Sequence, residues 1–133
     1  MPFAFAVDIG ATRTTLALVD LESHRILMHR RVLSDFLFTG RREPSLPLAE
    51  AIESFLQERD RDLRDVVGVG VGVPGTVNRE EGAVVTCPNL HVLDDSPLGP
   101  ETSERLGVPV YLDNNTNLIA LGEHVCGVGR ASD

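Results

Sequence analysis

Residues Val66–Val73 read Val-Val-Gly-Val-Gly-Val-Gly-Val, an unbroken apolar run in which valine alternates with Gly68, Gly70 and Gly72. Such a run suits a central strand buried on both faces. The alternate glycines leave one face of that strand without side chains. A central strand needs neighbours, and the first third of the chain supplies them. Phe3–Ile9, residues 14–20 and Arg25–Leu33 are each rich in aliphatic or β-branched residues, with turn formers at Gly10 and at Glu22-Ser23-His24. Three consecutive short strands predict an antiparallel meander.

Residues 35–47, with Gly40, paired arginines and two prolines, are expected to be an exposed connection. From Leu48 the apolar positions Leu48, Ile52, Phe55 and Leu56 recur at helical spacing, Ser45 or a neighbour can cap the start, and residues 58–64 form a charged end. After Pro74-Gly75 come turns and a short strand at Ala83–Thr86, then a helix over residues 100–106 ended by Gly107, a strand over 108–112 and a helix over 116–125. The order βββαβαβα predicts an α/β fold with a mixed sheet. This is the ribonuclease H-like arrangement on which actin-like ATPases are built, not an all-parallel dinucleotide-binding sheet.

Composition narrows the function. With 133 residues, 42% hydrophobic and 24% charged, one domain with one core is expected. No apolar run reaches the roughly 18 residues that span a bilayer, and the start lacks a basic signal region, so a cytoplasmic protein without membrane contact is expected. A net charge of −8 argues against nucleic acid as a partner. All 12 basic residues are arginine, which removes any lysine-based chemistry. Cys87 and Cys126 fit neither a disulfide framework nor zinc-ligand spacing; both read as small buried side chains, and no zinc is expected.

Three segments carry candidate chemistry. Between the first two strands, Asp8-Ile9-Gly10-Ala11-Thr12-Arg13-Thr14-Thr15 offers a glycine able to take positive φ, backbone amides and two threonine hydroxyls that can face phosphate oxygens, with Asp8 placed to hold Mg2+, through water. An ordinary hairpin turn with a surface aspartate gives the same letters. Gly70-Val71-Gly72-Val73-Pro74-Gly75 matches G-x-G-x-x-G, but its glycines lie within a strand and no helix follows to receive a pyrophosphate, so a dinucleotide is not expected. Asp113-Asn114-Asn115-Thr116-Asn117 falls where a strand gives way to a helix, at the carboxyl edge of the sheet, where amides and a carboxylate suit sugar hydroxyls. Helix capping would need only one of them.

These segments, in this order, resemble the ROK family (repressor, open reading frame, kinase) of bacterial glucokinases, other hexose and N-acetylhexosamine kinases, and sugar-responsive repressors. The first loop is similar to D-x-G-G-T-[KR]-x-x, with Ala11 for the second glycine. Residues 68–75 are similar to G-[IV]-G-[IV]-P-G. Cys87-Pro88-Asn89-Leu90, then Pro97-Leu98, then Arg105-Leu106-Gly107-Val108-Pro109-Val110 resemble A-P-N-L, P-L and R-L-G-[LV]-P-V. Residues 113–123 resemble E-N-D-A-N-A-A-A-L-G-E, and 127–130 resemble G-A-G-R. The resemblance implies ATP and Mg2+ as cofactors and a hexose or N-acetylhexosamine as substrate. It places Asp8, Gly10, Ala11, Thr12, Arg13 and Thr14 at the phosphate and Mg2+ loop, and Gly75, Asn89, Asn114 and Asn115 toward the sugar.

Two departures shape the expectation. Asn115 stands where the family has its general-base aspartate, and an amide cannot take the proton of the attacking hydroxyl. General-base catalysis is worth about 10²- to 10⁴-fold. Asp113 does not stand in, because a two-residue offset along a strand moves a carboxylate by roughly 6–7 Å. The family also continues into a C-terminal lobe with the adenine site and a zinc motif, which these residues do not include. The expectation is an N-terminal lobe over residues 1–133, with 116–133 as the inter-lobe helix and linker, impaired as a kinase. An uncovered stripe of Leu118, Leu121 and Val125 implies a homodimer or a partner lobe. The competing expectation is a non-catalytic sugar-sensing regulator, although a first strand at Phe3 leaves no N-terminal helix-turn-helix.

Overall fold

The computed structural model describes residues 2–40 and 43–115. Strands β1 (Phe3–Ile9), β2 (Arg13–Asp20) and β3 (Arg25–Leu33) form the antiparallel meander. β4 (Val66–Val73) lies parallel to β1, and β7 (Val110–Asn114) lies parallel to β4, giving the sheet order β3-β2-β1-β4-β7. This five-stranded mixed sheet is the predicted ribonuclease H-like order. Parallel neighbours cannot be joined by a hairpin, so helix α2 (Ser45–Glu58) lies on the route into β4 and α3 (Leu98–Leu106) on the route into β7.

Alternation along the strands decides which face the helices cover. In β1, Phe3, Phe5, Val7 and Ile9 are buried while Ala6 and Asp8 are exposed. Leu16 and Leu18 of β2 pair with Val7 and Phe5, and Val69, Val71 and Val73 of β4 join the same buried layer. Against it α2 sets Leu48, Ile52, Phe55 and Leu56, with the Phe55 ring edge-on to Phe5 at 5.2 Å. Each such fully buried side chain contributes about 1.5–3 kcal/mol. α3 is tied to the start of α2 by Arg105, whose Nε donates to Ser45 Oγ at 3.0 Å and whose terminal nitrogen pairs with Glu43 at 2.7 Å.

The glycine-bearing side of β4 differs from its expectation of burial on both faces. Gly68 and Gly70 are only half-buried, and a Cβ at Gly70 would meet nothing within 4 Å. Residues 35–47 are not simply an exposed connection either. α1 (Ser34–Phe38) follows β3 directly, and both Ser34 and Phe38 are buried. Phe38 adds to the core what composition alone assigned to solvent. Ser45 is the first helical residue and makes no side-chain cap; its hydroxyl serves Arg105 instead. The last strand runs over Val110–Asn114, two residues later than the expected 108–112, because Ser103 Oγ holds the Val108 carbonyl at 2.7 Å in the turn after α3.

Between β4 and α3 the chain forms a small hairpin of β5 (Thr76–Asn78) and β6 (Ala83–Thr86). The glycines of Gly70-Val71-Gly72-Val73-Pro74-Gly75 thus sit in and just after a strand, and the next element is another strand, as the rejection of a dinucleotide fingerprint required. Gly107 ends α3 at φ 76°, as its position predicted. The helix expected over 116–125 lies outside the described residues, as does Cys126.

Candidate functional site

The sheet register brings two carboxylates onto one face. Asp8 lies opposite Gly72, and Gly72 lies opposite Asp113. Two strand spacings separate Asp8 from Asp113, roughly 10 Å between Cα atoms, and the residue between them has no side chain. Asn115 follows at the end of β7, and its Nδ2 donates to the carbonyl of Ile9 at 3.4 Å. Asp8, Gly70, Gly72, Ile26 and Asn115 line a hollow of about 450 Å³ on this face. The first and last segments singled out in the sequence therefore meet, with the glycines of β4 as their floor.

The loop between β1 and β2 is tight for a reason other than the one expected. Gly10 does not take positive φ; among the described glycines only Gly40, Gly82 and Gly107 do. Glycine is required there because a Cβ would stand 2.6 Å from the Arg13 carbonyl, which accepts the Gly10 amide at 2.9 Å. Thr14 also departs from expectation. It is fully buried and its hydroxyl bonds Ser34 Oγ at 2.8 Å, so it is not offered to a phosphate. Ala11, Thr12 and Arg13 remain exposed, and Asp8 is exposed at the end of β1. Ser34 was invisible to sequence reasoning, since nothing in its neighbourhood marks a serine 24 residues from Gly10 as a partner of that loop.

Asn114 and Asn115 are neighbours with different surroundings. Asn114 Nδ2 donates to the Gly75 carbonyl at 2.7 Å, and a Cβ on Gly75 would fall 2.1 Å from the Thr86 carbonyl, so Gly75 is clamped between β6 and Asn114. Both residues, with Thr76, Arg79 and Asp113, line a second hollow of about 300 Å³. Asp113 accepts the Asn114 amide at 2.7 Å and lies 3.5 Å from the Arg79 guanidinium.

Asn89 is exposed in a third recess of about 340 Å³, with Asp35, Thr39, Gly40 and His91, apart from the hollows of Asn114 and Asn115. Its loop is held by Asp94, which accepts the Cys87 amide at 2.7 Å and pairs with His91 Nδ1 at 2.9 Å. The His91 bond first, and the Cys87 amide second, hold the Asp94 carboxyl below its usual value of 3.8. Burial first, and Asp94 second, push the Cys87 thiol up, so this buried cysteine is protonated and inert, as its sequence setting suggested. Among the described residues no three His, Cys, Asp or Glu side chains group as a metal site, and no helix is long and apolar enough to cross a membrane.

The meander, the parallel extension through β4 and β7, and the site at the carboxyl ends of β1, β4 and β7 define a lobe of the actin-like ATPase fold. The model of the ROK family matches residues 4–132, and the chain belongs to that family. It is 34% identical over 127 residues to a glucokinase of Thermotoga maritima, covering 96% of this chain and 38% of the glucokinase. It is also 36% identical over 87 residues to a xylose repressor of Caldicellulosiruptor bescii, covering 65% of this chain and 22% of the repressor. Among solved structures, a ROK family glucokinase from Streptomyces griseus in complex with glucose and AMPPNP superposes with a TM-score of 0.73 at 29% identity, over 96% of this chain and 38% of that one. The chain thus spans well under half the length of the relatives it matches.

Proposed function

We propose that this chain is the N-terminal lobe of a sugar kinase that works on a hexose or N-acetylhexosamine with ATP and Mg2+, and that its phosphotransfer is weakened at Asn115. The observation that carries the reading is the meeting of Asp8 and Asn115 over the glycine floor of β4. The residues present suit the cofactor. Asp8 offers a hard oxygen on an exposed residue for Mg2+, and the loop after it offers for phosphate the backbone amides of the exposed residues Ala11 and Thr12, which have no partner among the described residues. ATP, when bound, supplies the γ-phosphoryl group, and Mg2+ offsets its charge. The family pattern assigns Asn89 and Asn114 to the sugar hydroxyls; Asn114 adjoins Asn115, whereas Asn89 opens into a recess of its own. Asn115 hydrogen-bonds the attacking hydroxyl but does not take its proton, which leaves positioning as this chain's main contribution to rate.

A second reading, a sugar-responsive regulator without turnover, draws on the same asparagine and on the likeness to a xylose repressor. Calorimetric titration with glucose, N-acetylglucosamine and N-acetylmannosamine, with and without Mg2+-ATP, on this chain joined to the remainder of the Thermotoga maritima glucokinase, separates the two. Sugar binding with slow ADP release supports an impaired kinase, and sugar binding with none supports the regulator. Release at ordinary kinase rates, about 1–100 per second, contradicts the assignment of Asn115. We place the protein in the cytoplasm, which the lack of a bilayer-length apolar run supports, and as a homodimer or with a partner lobe, which the apolar positions Leu118, Leu121 and Val125 support. A monomer in size-exclusion chromatography at micromolar concentration would contradict the homodimer.

A further inference from the structure

Three carbonyl oxygens in the turn from β1 into the first residue of β2 are tied down. The Gly10 oxygen accepts the Ser34 hydroxyl at 2.6 Å, the Thr12 oxygen accepts the Ser34 amide at 2.8 Å, and the Arg13 oxygen accepts the Gly10 amide at 2.9 Å. Two of the three bonds come from one residue at the start of α1. The direction of the remaining contact follows by elimination. A carbonyl only accepts, so Ser34 gives its single hydroxyl proton to Gly10, and the 2.8 Å bond to Thr14 runs from the Thr14 hydroxyl to Ser34 Oγ. Thr14 and Ser34 are both fully buried, so this relay has no water to replace a lost member.

The backbone amides of Ala11 and Thr12, on exposed residues, take no partner among the described residues. With three carbonyls already accepting hydrogen bonds and two amides without a protein partner, the loop has donors to spare, which is the condition for binding an anion. We infer that Ser34 is the positioning residue that gives this loop its sign, by holding the Gly10 and Thr12 carbonyls away from the phosphate chain of a nucleotide. The inference rests on the phosphate-facing reading of the loop and names what in this chain makes it so. Without the Ser34 hydroxyl, the Gly10 carbonyl loses its buried donor and is free to turn its negative end toward the anion.

The test is NMR of the 133-residue chain titrated with Mg2+-pyrophosphate, together with hydrogen exchange at the Gly10 amide. Wild type and Ser34→Thr are expected to shift the Ala11 and Thr12 amide signals on titration. Thr14→Val keeps the Ser34 bond to Gly10 and should bind within about twofold of wild type, whereas Ser34→Ala should bind at least about tenfold more weakly and exchange Gly10 faster by a similar factor. Ser34→Cys, a weaker donor of nearly the same size, should fall between, and it decides the matter where Ser34→Ala does not fold. Wild-type affinity and wild-type Gly10 exchange in a folded Ser34→Ala or Ser34→Cys variant would overturn the inference. If wild type itself shows no response to pyrophosphate, the phosphate reading of the loop fails. The positioning role is then judged by exchange alone, and unchanged Gly10 exchange in Ser34→Ala overturns it too.

Discussion

The side-chain amide of Asn115 donates to the carbonyl of Ile9, 3.4 Å away, and so joins the end of β7 to the residue after Asp8 in β1. An aspartate at this position has no proton to give and would set a carboxylate beside a carbonyl. Asn115→Asp is therefore expected to cost about 0.5–1.5 kcal/mol of stability, toward the lower end because the bond is long. Urea unfolding measures it, and a stabilised variant would show that the contact contributes nothing.

Two glycines near the site should respond oppositely to the same change. A methyl group at Gly75 would meet the Thr86 carbonyl at 2.1 Å and force backbone apart, so Gly75→Ala is expected to destabilise by about 1–3 kcal/mol and to loosen the Asn114 contact. At Gly70 nothing lies within 4 Å, so Gly70→Ala should leave stability unchanged or raise it by up to about 1 kcal/mol through the unfolded chain. Thermal unfolding of the pair checks both. Equal losses would mean that the glycine face is closed.

Arg105 joins α3 to the start of α2 through a fully buried serine. Arg105→Ala leaves Ser45 Oγ without its donor and is expected to cost about 1–3 kcal/mol, most of it independent of salt, whereas Glu43→Ala should cost under about 1 kcal/mol and lose its effect at high ionic strength. Unfolding midpoints at low and high salt distinguish them.

The loop that carries Asn89 depends on an ionised Asp94. Its folded pKa is depressed, so the stability it contributes is fully present above 3.8 and is lost as pH falls through the lower folded value. Asp94→Asn should flatten the acid limb of the stability profile below pH 3.8 and leave a smaller, pH-independent loss at neutral pH. An acid limb of wild-type steepness in the variant would assign the effect to other carboxylates.

Much of the fold was legible because it is written in periodicity. The alternation in Phe3–Ile9 and the apolar run of Val66–Val73 fixed those strands to the residue, and Gly107 marked its helix end. What was not legible depends on contacts distant in sequence. Phe38 and Ser34 sit beside a stretch of glycine, arginine and proline, and only contacts distant in sequence make them interior residues: Ser34 bonds Thr14 of β2 and Gly10 of the first loop, and Phe38 joins the hydrophobic core. The same distance effect removed Thr14 from the phosphate-facing set, since strand alternation relative to Ile9, its partner in β1, turns it inward. Asp8 and Asn115 were each visible as candidates. Their meeting follows from the parallel β1-β4-β7 register, which no local pattern encodes.

The central claim is that a carboxamide occupies the base position. Its most direct test is a chimera in which this chain replaces the matching 38% of the Thermotoga maritima glucokinase. ADP release with glucose would be compared for Asn115 and Asn115→Asp. A gain of about 10²-fold or more in kcat with little change in KM is the expected result. An unchanged kcat in a folded, sugar-binding Asn115→Asp chimera would contradict it.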